Sequence, residues 1–254
     1  MIRLNNLMRP TLNSTDPATT NRSILVFGAH PDDIEYGCGG IIAAETQSGR
    51  AAHFVVCSAG EAGTNGTAQS RKAEAIDAAK ILGASIEFLE LDGDAHLEVK
   101  VGHAIKLAGL IRRYKPSTVL VCSNVPNQHP DHARLGELVR DAARLARYGG
   151  LEELLDLEVH SIEQLFYYAV TPDGEPSDIT PTYVDVPPAA FDAWVKAMEA
   201  HNSQGATRNY IDLQLARAKL LGARAGVAHA IALYANEPLI FSSLTDVGRG
   251  ARNF

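Results

Sequence analysis

Ser23-Ile24-Leu25-Val26-Phe27-Gly28 is an apolar run with no polar alternation, and it leads straight into Ala29-His30-Pro31-Asp32-Asp33-Ile34-Glu35. A strand with one wet face alternates apolar and polar residues, whereas a strand buried on both faces does not. The same pattern returns at His53-Phe54-Val55-Val56-Cys57, at Ser85 to Leu89 and, most apolar of all, at Thr118-Val119-Leu120-Val121-Cys122. Helical patterns lie between these runs: Gly39 to Ser48, Ser70 to Leu82, Gly102 to Tyr114, and about His132 to Arg147. In the second of them Ala73, Ile76, Ala79 and Lys80 follow helical spacing and Gly83 supplies the stop. Such alternation predicts βαβ units, and hence an α/β, Rossmann-like fold with a mostly parallel sheet flanked by helices. Further strands are expected at Gln164 to Val170 and Thr182 to Val186, with closing helices near Pro188 to His201 and Asn209 to Ala228.

At 254 residues, 46% hydrophobic and 21% charged, the chain can bury a large core. No Pro/Gly/Ser-rich or charged linker interrupts it, so a single domain is expected over 23–254, preceded by a disordered tail at 1–22. A net charge of -7 disfavours nucleic acid and anionic lipid, which leaves a small molecule as the expected partner. Cys38, Cys57 and Cys122 are odd in number and form no CxxC pair, so neither a disulfide framework nor a thiolate zinc site is indicated. With no signal-like leader and no long apolar span, membrane insertion is not expected and a cytoplasmic location is.

Ligands of an open parallel sheet sit beyond the carboxyl ends of its strands. Four consecutive loops fall there: His30 to Glu35, Ser58 to Gly66, Asp92 to His96 and Asn124 to His132. The first carries His30, Asp32, Asp33 and Glu35 within six residues, and the fourth carries His129-Pro130-Asp131-His132. Pro130 suits the first turn of a helix bearing His132. An isolated pair of aspartates would read as a polar turn capping a helix; two histidine motifs converging on them read as a metal site. Two histidines and one aspartate make a catalytic zinc set with one position open. Adjacent aspartates point apart, so one ligates while the other works nearby as a base toward a metal-activated water. His129 would stabilise an oxyanion or protonate a leaving amine. Spacing alone leaves the assignment of these roles open. The same donors also form the facial triad of non-haem iron enzymes.

Gly28 to Glu35, continuing to Gly37-Cys38-Gly39-Gly40, resembles the signature of the LmbE-like (PIG-L) deacetylases, zinc-dependent enzymes that remove the acetyl group from N-acetylglucosamine-containing molecules. Gly60-Glu61, Asn65-Gly66-Thr67 with Arg71 and Glu74, Asp92-Gly93, His129 to His132 and His201-Asn202-Ser203-Gln204 extend the resemblance over about residues 24 to 235. It implies a hydrolase that releases acetate and a free amine from an N-acetylated amino sugar conjugate. It further implies that His30, Asp33 and His132 bind Zn²⁺, replaceable by a metal such as Fe²⁺. Asp32 would be the general base, His129 would assist the oxyanion and leaving group, and Arg71 and Asp92 would contact substrate. Glu35 and Asp131 would support the ligands by hydrogen bonding. Assembly as a homo-oligomer is also implied. Asn65 to Glu74 is similar to the deacetylase of bacillithiol biosynthesis, which acts on N-acetylglucosaminyl malate. His229 and Ile231 depart from the family's tyrosine and glutamates. Two alternatives are a non-haem iron enzyme and a sugar-binding relative without catalysis.

The remaining candidates read as structural. His53 and His103 suit core or surface positions, and His96 a solvated loop. Cys38 has no neighbouring base to activate it. Trp194 and Met198 have the spacing of a packing pair. Gly37 to Gly40 fails the dinucleotide fingerprint because position 42 is isoleucine.

Overall fold

Alternate residues of each strand sort onto two separate cores in the computed structural model, which describes residues 22–205 and 209–251. Strands β1 (Ile24–Gly28), β2 (Ala52–Val56), β3 (Ser85–Phe88), β4 (Thr118–Cys122), β5 (Gln164–Tyr168), β6 (Thr182–Asp185) and β7 (Ala230–Ala235) form one sheet in the order β3-β2-β1-β4-β5-β7-β6. The first five are parallel, and β7 runs antiparallel to both β5 and β6. Ile24, Val26, Phe54 and Leu120 point to one face, under helices α1 (Asp33–Gln47), α2 (Ala68–Ile81) and α5 (Pro188–Glu199). Leu25, Phe27, Val55, Val119 and Val121 point to the other, under α3 (Val101–Tyr114) and α4 (Pro130–Leu145). Both faces are covered, which is why these strands show no polar alternation. A four-residue turn of helix, α6 (Asn202–Gly205), and the longer α7 (Tyr210–Ala225) lead into β7.

Three elements differ from the sequence reading. Helix α1 begins at Asp33, six residues before the expected start, so the acidic motif lies in its first turn and not on a free loop. Interior glycines weaken the helical signal there, yet packing requires them: a Cβ at Gly37 would lie 2.2 Å from the Tyr168 ring, and one at Gly39 would lie 2.7 Å from Trp194. In α2 the buried stripe is Arg71, Ala75, Ala78 and Ala79, which shares only Ala79 with the spacing read in the sequence, and Ile76 is 49% exposed. Strand β7 is absent from the sequence reading altogether.

The expected tail at 1–22 lies outside the described residues except for Arg22, whose guanidinium meets Glu163 at 3.3 Å. Among the described residues no helix is long and apolar enough to cross a membrane. The strand order reverses between β1 and β4, each of which sends its chain to opposite sides, and this opens a crevice at their carboxyl ends.

Candidate active site

At the end of β1 the chain turns sharply into α1. Asp32 occupies the N-cap at φ 125°, a backbone conformation that non-glycine residues rarely adopt. Such strain persists only where the surroundings enforce it. Here Asp33 Oδ2 accepts the backbone N–H groups of Ala29 (2.9 Å) and His30 (2.8 Å), and the Asp32 carbonyl accepts Tyr36 N–H at 3.0 Å. The turn therefore holds His30 and both aspartates at one spot.

At the end of the neighbouring β4, His129 caps α4, and its Nδ1 accepts the Asp131 N–H at 3.3 Å. Pro130 fills the first helical position, and His132 sits one turn in and buried. The two motifs meet because β1 and β4 are paired. His30 Nδ1 lies 3.3 Å from His132 Nε2 and 3.4 Å from Asp33 Oδ2, and His132 Nε2 lies 2.9 Å from Asp33 Oδ1. Donors at ~2.1 Å around a tetrahedral zinc stand ~3.4 Å apart, so this triangle is of the size that ion requires. The donor chemistry, two imidazoles and a carboxylate, fits as well.

Hydrogen bonding assigns the histidine tautomers. His30 Nε2 faces Asp94 Oδ1 at 3.0 Å and Asp131 Oδ2 at 3.3 Å, both acceptors, so it carries the proton and leaves the Nδ1 lone pair to the triangle. Because His129 Nδ1 accepts a backbone bond, the neutral ring has its proton on Nε2. Charges in the cluster are tightly balanced. Burial lowers His30, but Asp33, Asp131 and Asp94 outweigh it and hold the imidazole well above its ordinary value. Burial alone would raise Asp33; His132 and His30 overcome it and keep that carboxyl well below the usual range. Burial and the adjacent Asp33 push Asp32 up to about 6, against His201, Arg71 and His30. His129 is lowered by burial and by the charges of His30 and His132.

Arg71 projects from α2 beneath the loop after β2. It is 5% exposed, donating from Nη1 to the Gly60 carbonyl (2.9 Å) and from Nη2 to the Pro31 carbonyl (3.1 Å) and Asp32 Oδ2 (3.2 Å). Its guanidinium lies against Gly60 and Gly63, where a Cβ would approach to 2.3 and 2.6 Å. Arg71, the expected substrate contact, is thus buried under the strained turn and also lines the crevice.

Asp92 lies apart from the crevice. Its carboxylate is taken by Lys100 Nζ (2.9 Å), His103 Nε2 (2.8 Å) and the Glu98 N–H (3.0 Å), which tie the loop to the start of α3 and give His103 a partner. Asp94, two residues on, is the acid that reaches the site. The doubled acid in Asp92-Gly93-Asp94 is its only sequence signal. Asp131 Oδ2 lies 3.3 Å from His30 Nε2 and also accepts the Ala95 N–H at 2.7 Å. Glu35 turns away from the His30 side chain; its Oε2 faces the buried His201 Nε2 at 3.4 Å, and its carbonyl accepts Trp194 Nε1 at 2.7 Å. The crevice, about 330 Å³, is completed by Gln204 of the late motif and by residues the sequence reading did not name, Tyr36, Thr171, Tyr210 and Gln214 among them.

The family model described as GlcNAc-PI de-N-acetylase (PIG-L) matches residues 25–143, the span that contains both histidine motifs. Over that span the chain is similar to the PIG-L family. A diacetylchitobiose deacetylase of Thermococcus kodakarensis is 28% identical over 203 residues, covering 74% of this chain and 72% of that relative. A 4-oxalmesaconate hydratase of Pseudomonas putida is 33% identical over 144 residues, 52% of this chain. That match spans 55% of the hydratase, little more than half its length. Among solved structures, a conserved protein of Thermus thermophilus superposes with a TM-score of 0.77 at 27% identity, covering 90% of this chain and all of the other. The relatives that match this chain thus include both a deacetylase and a hydratase, and the chain's own residues must distinguish the two readings.

Proposed function

We propose that this protein is a zinc-dependent N-deacetylase of the PIG-L kind that hydrolyses the acetamide of an N-acetylglucosamine-type conjugate, releasing acetate and a free amine. The reading rests on one observation: His30 Nδ1, His132 Nε2 and the Asp33 carboxylate converge within 3.4 Å, with Asp32 beside them. Zinc held by these three residues would polarise a water and the amide carbonyl. Asp32, raised to about 6 and steadied by Arg71, accepts the proton of the attacking water. His129 presents its Nε2–H to the carbonyl oxygen as negative charge develops, and the proton that Asp32 took from water passes on to the departing nitrogen. Asp94 and Asp131 keep His30 in the tautomer that leaves Nδ1 for the metal. Arg71 acts on Asp32 and its turn, not on the substrate.

The hydratase relative supports a second reading, addition of water across a conjugated acid. An acid substrate calls for cations that recognise carboxylates. Arg71 is the only lysine or arginine among the described crevice residues; its Nη1 and Nη2 face Gly60, Pro31 and Asp32, and its Nε is buried. Deacetylation of a neutral sugar fits this lining better. Acetate release from a panel of N-acetylglucosamine conjugates by the zinc-loaded protein tests the reading. Absence of acetate from every member, together with turnover of an unsaturated polycarboxylate, would replace it with the hydratase.

A further inference from the structure

Tyr36 sits one turn into α1, 4% exposed, and lines the crevice beside Asp32. Its hydroxyl is buried and makes no hydrogen bond among the described residues. The ring is fixed by aromatic neighbours, with Tyr210 at 5.7 Å and His201 at 6.1 Å between centroids. Gly37, next in sequence, presses α1 onto Tyr168 and so sets the direction in which Tyr36 projects. A buried hydroxyl with no partner is destabilising, and Phe of the same shape would avoid the penalty. Tyrosine at this position makes physical sense if the missing partner arrives with the ligand.

The chemistry of that partner follows from the surroundings. Burial, and after it the negative charges of Asp32, Glu35 and Glu74, keep the Tyr36 hydroxyl protonated. An anionic ligand group is repelled there. An uncharged hydroxyl is accepted, as donor or acceptor. The rest of the lining agrees, since Thr64, Thr171, Gln204 and Gln214 are neutral hydrogen-bonding side chains.

We propose that Tyr36 is a specificity-determining residue whose hydroxyl exchanges a hydrogen bond with an uncharged hydroxyl of the bound sugar. This rests on the deacetylase reading and adds to it a named contact for the sugar ring. Tyr36→Phe separates the two. In the metal-free full chain it should raise Tm by about 2 °C, because an unsatisfied buried group is removed. In the zinc-loaded protein it should lower kcat/KM about 10-fold on an N-acetylglucosamine conjugate. With the 3-, 4- and 6-deoxy analogues, one analogue should give equal kcat/KM in wild type and variant, which identifies the hydroxyl contacted. A fall in Tm, meaning that the hydroxyl has a structural partner, would overturn the inference. So would equal kcat/KM for the two proteins on the parent sugar. If the wild type releases no acetate at all, the deacetylase reading fails first, and the sugar contact falls with it.

Discussion

Arg71→Ala is the substitution that most directly separates a strut from a substrate contact. The side chain makes hydrogen bonds of 2.9, 3.1 and 3.2 Å in a buried setting. Gly60's carbonyl keeps a second donor, the Gly63 N–H at 3.1 Å, so its loss is one bond of about 1 kcal/mol. Pro31's carbonyl has no other donor among the described residues and is left buried, at about 1–3 kcal/mol. Asp32 loses its nearest fixed cation. These effects share one side chain and do not simply add, so a total of about 3–4 kcal/mol is expected in urea denaturation. Activity should fall about 100-fold or more in kcat with little change in KM, since Asp32 is released from its strained position and small misplacements of a base are severe. Arg71→Lys should recover part of the stability and little of the rate, because one ammonium cannot span three acceptors in the guanidinium plane. A variant that stays within about 1 kcal/mol of wild type while KM rises about 10-fold at constant kcat would refute the strut and restore the substrate contact.

Other outcomes follow from the same geometry. Asp32 must be deprotonated to accept a proton, so kcat/KM should climb with pH through a limb at or below about 6; the limb should vanish along with turnover in Asp32→Asn while zinc binding persists. The raised value of His30 has the opposite sign in the metal-free protein. It contributes stability that is complete below the free-histidine value of about 6.5 and is lost as pH rises through the folded value, visible as a falling Tm above neutrality. Zinc at about 100 times its Kd should add about 2.7 kcal/mol to the wild type, and His132→Ala should abolish that shift in thermal melts. Asp94→Asn should weaken zinc binding about 10- to 100-fold by titration, whereas Asp92→Asn should leave kcat/KM unchanged and lower only stability. A rise of about 10-fold in KM for Asp92→Asn would extend the crevice to that loop.

Sheet order and site are legible in the sequence to different depths. Strands buried on both faces announce themselves by unbroken apolar runs, and β1, β2 and β4 are of that kind, whereas the edge strand β3 alternates. The carboxyl-end rule then collects the four loops without any knowledge of side-chain direction. The start of α1 is hidden because Gly37, Gly39 and Gly40 answer to Tyr168, Trp194 and Ile231, which come far later in the chain. Residue type alone makes Arg71 look like a substrate contact; only the approach of Gly60 and Gly63 shows that its guanidinium lies beneath the loop. Asp92 and Asp94 are indistinguishable by composition, and the turn through Gly93 at φ 94° decides which one faces His30. Strand β7 leaves little trace because Ala230-Ile231-Ala232-Leu233-Tyr234-Ala235 is poor in β-branched residues and follows closely on a long helix.

That late strand has a bearing on how the protein is made. In the order β5-β7-β6, the outer strand β6 leaves the ribosome before the strand that joins it to the sheet. Until Ala230–Ala235 emerges, β5 presents an open edge with Phe166 and Tyr167, and β6 has nothing to pair with. A nascent chain stalled before residue 230 would therefore carry both histidine motifs yet expose a sticky sheet edge, a species for chaperones to shield.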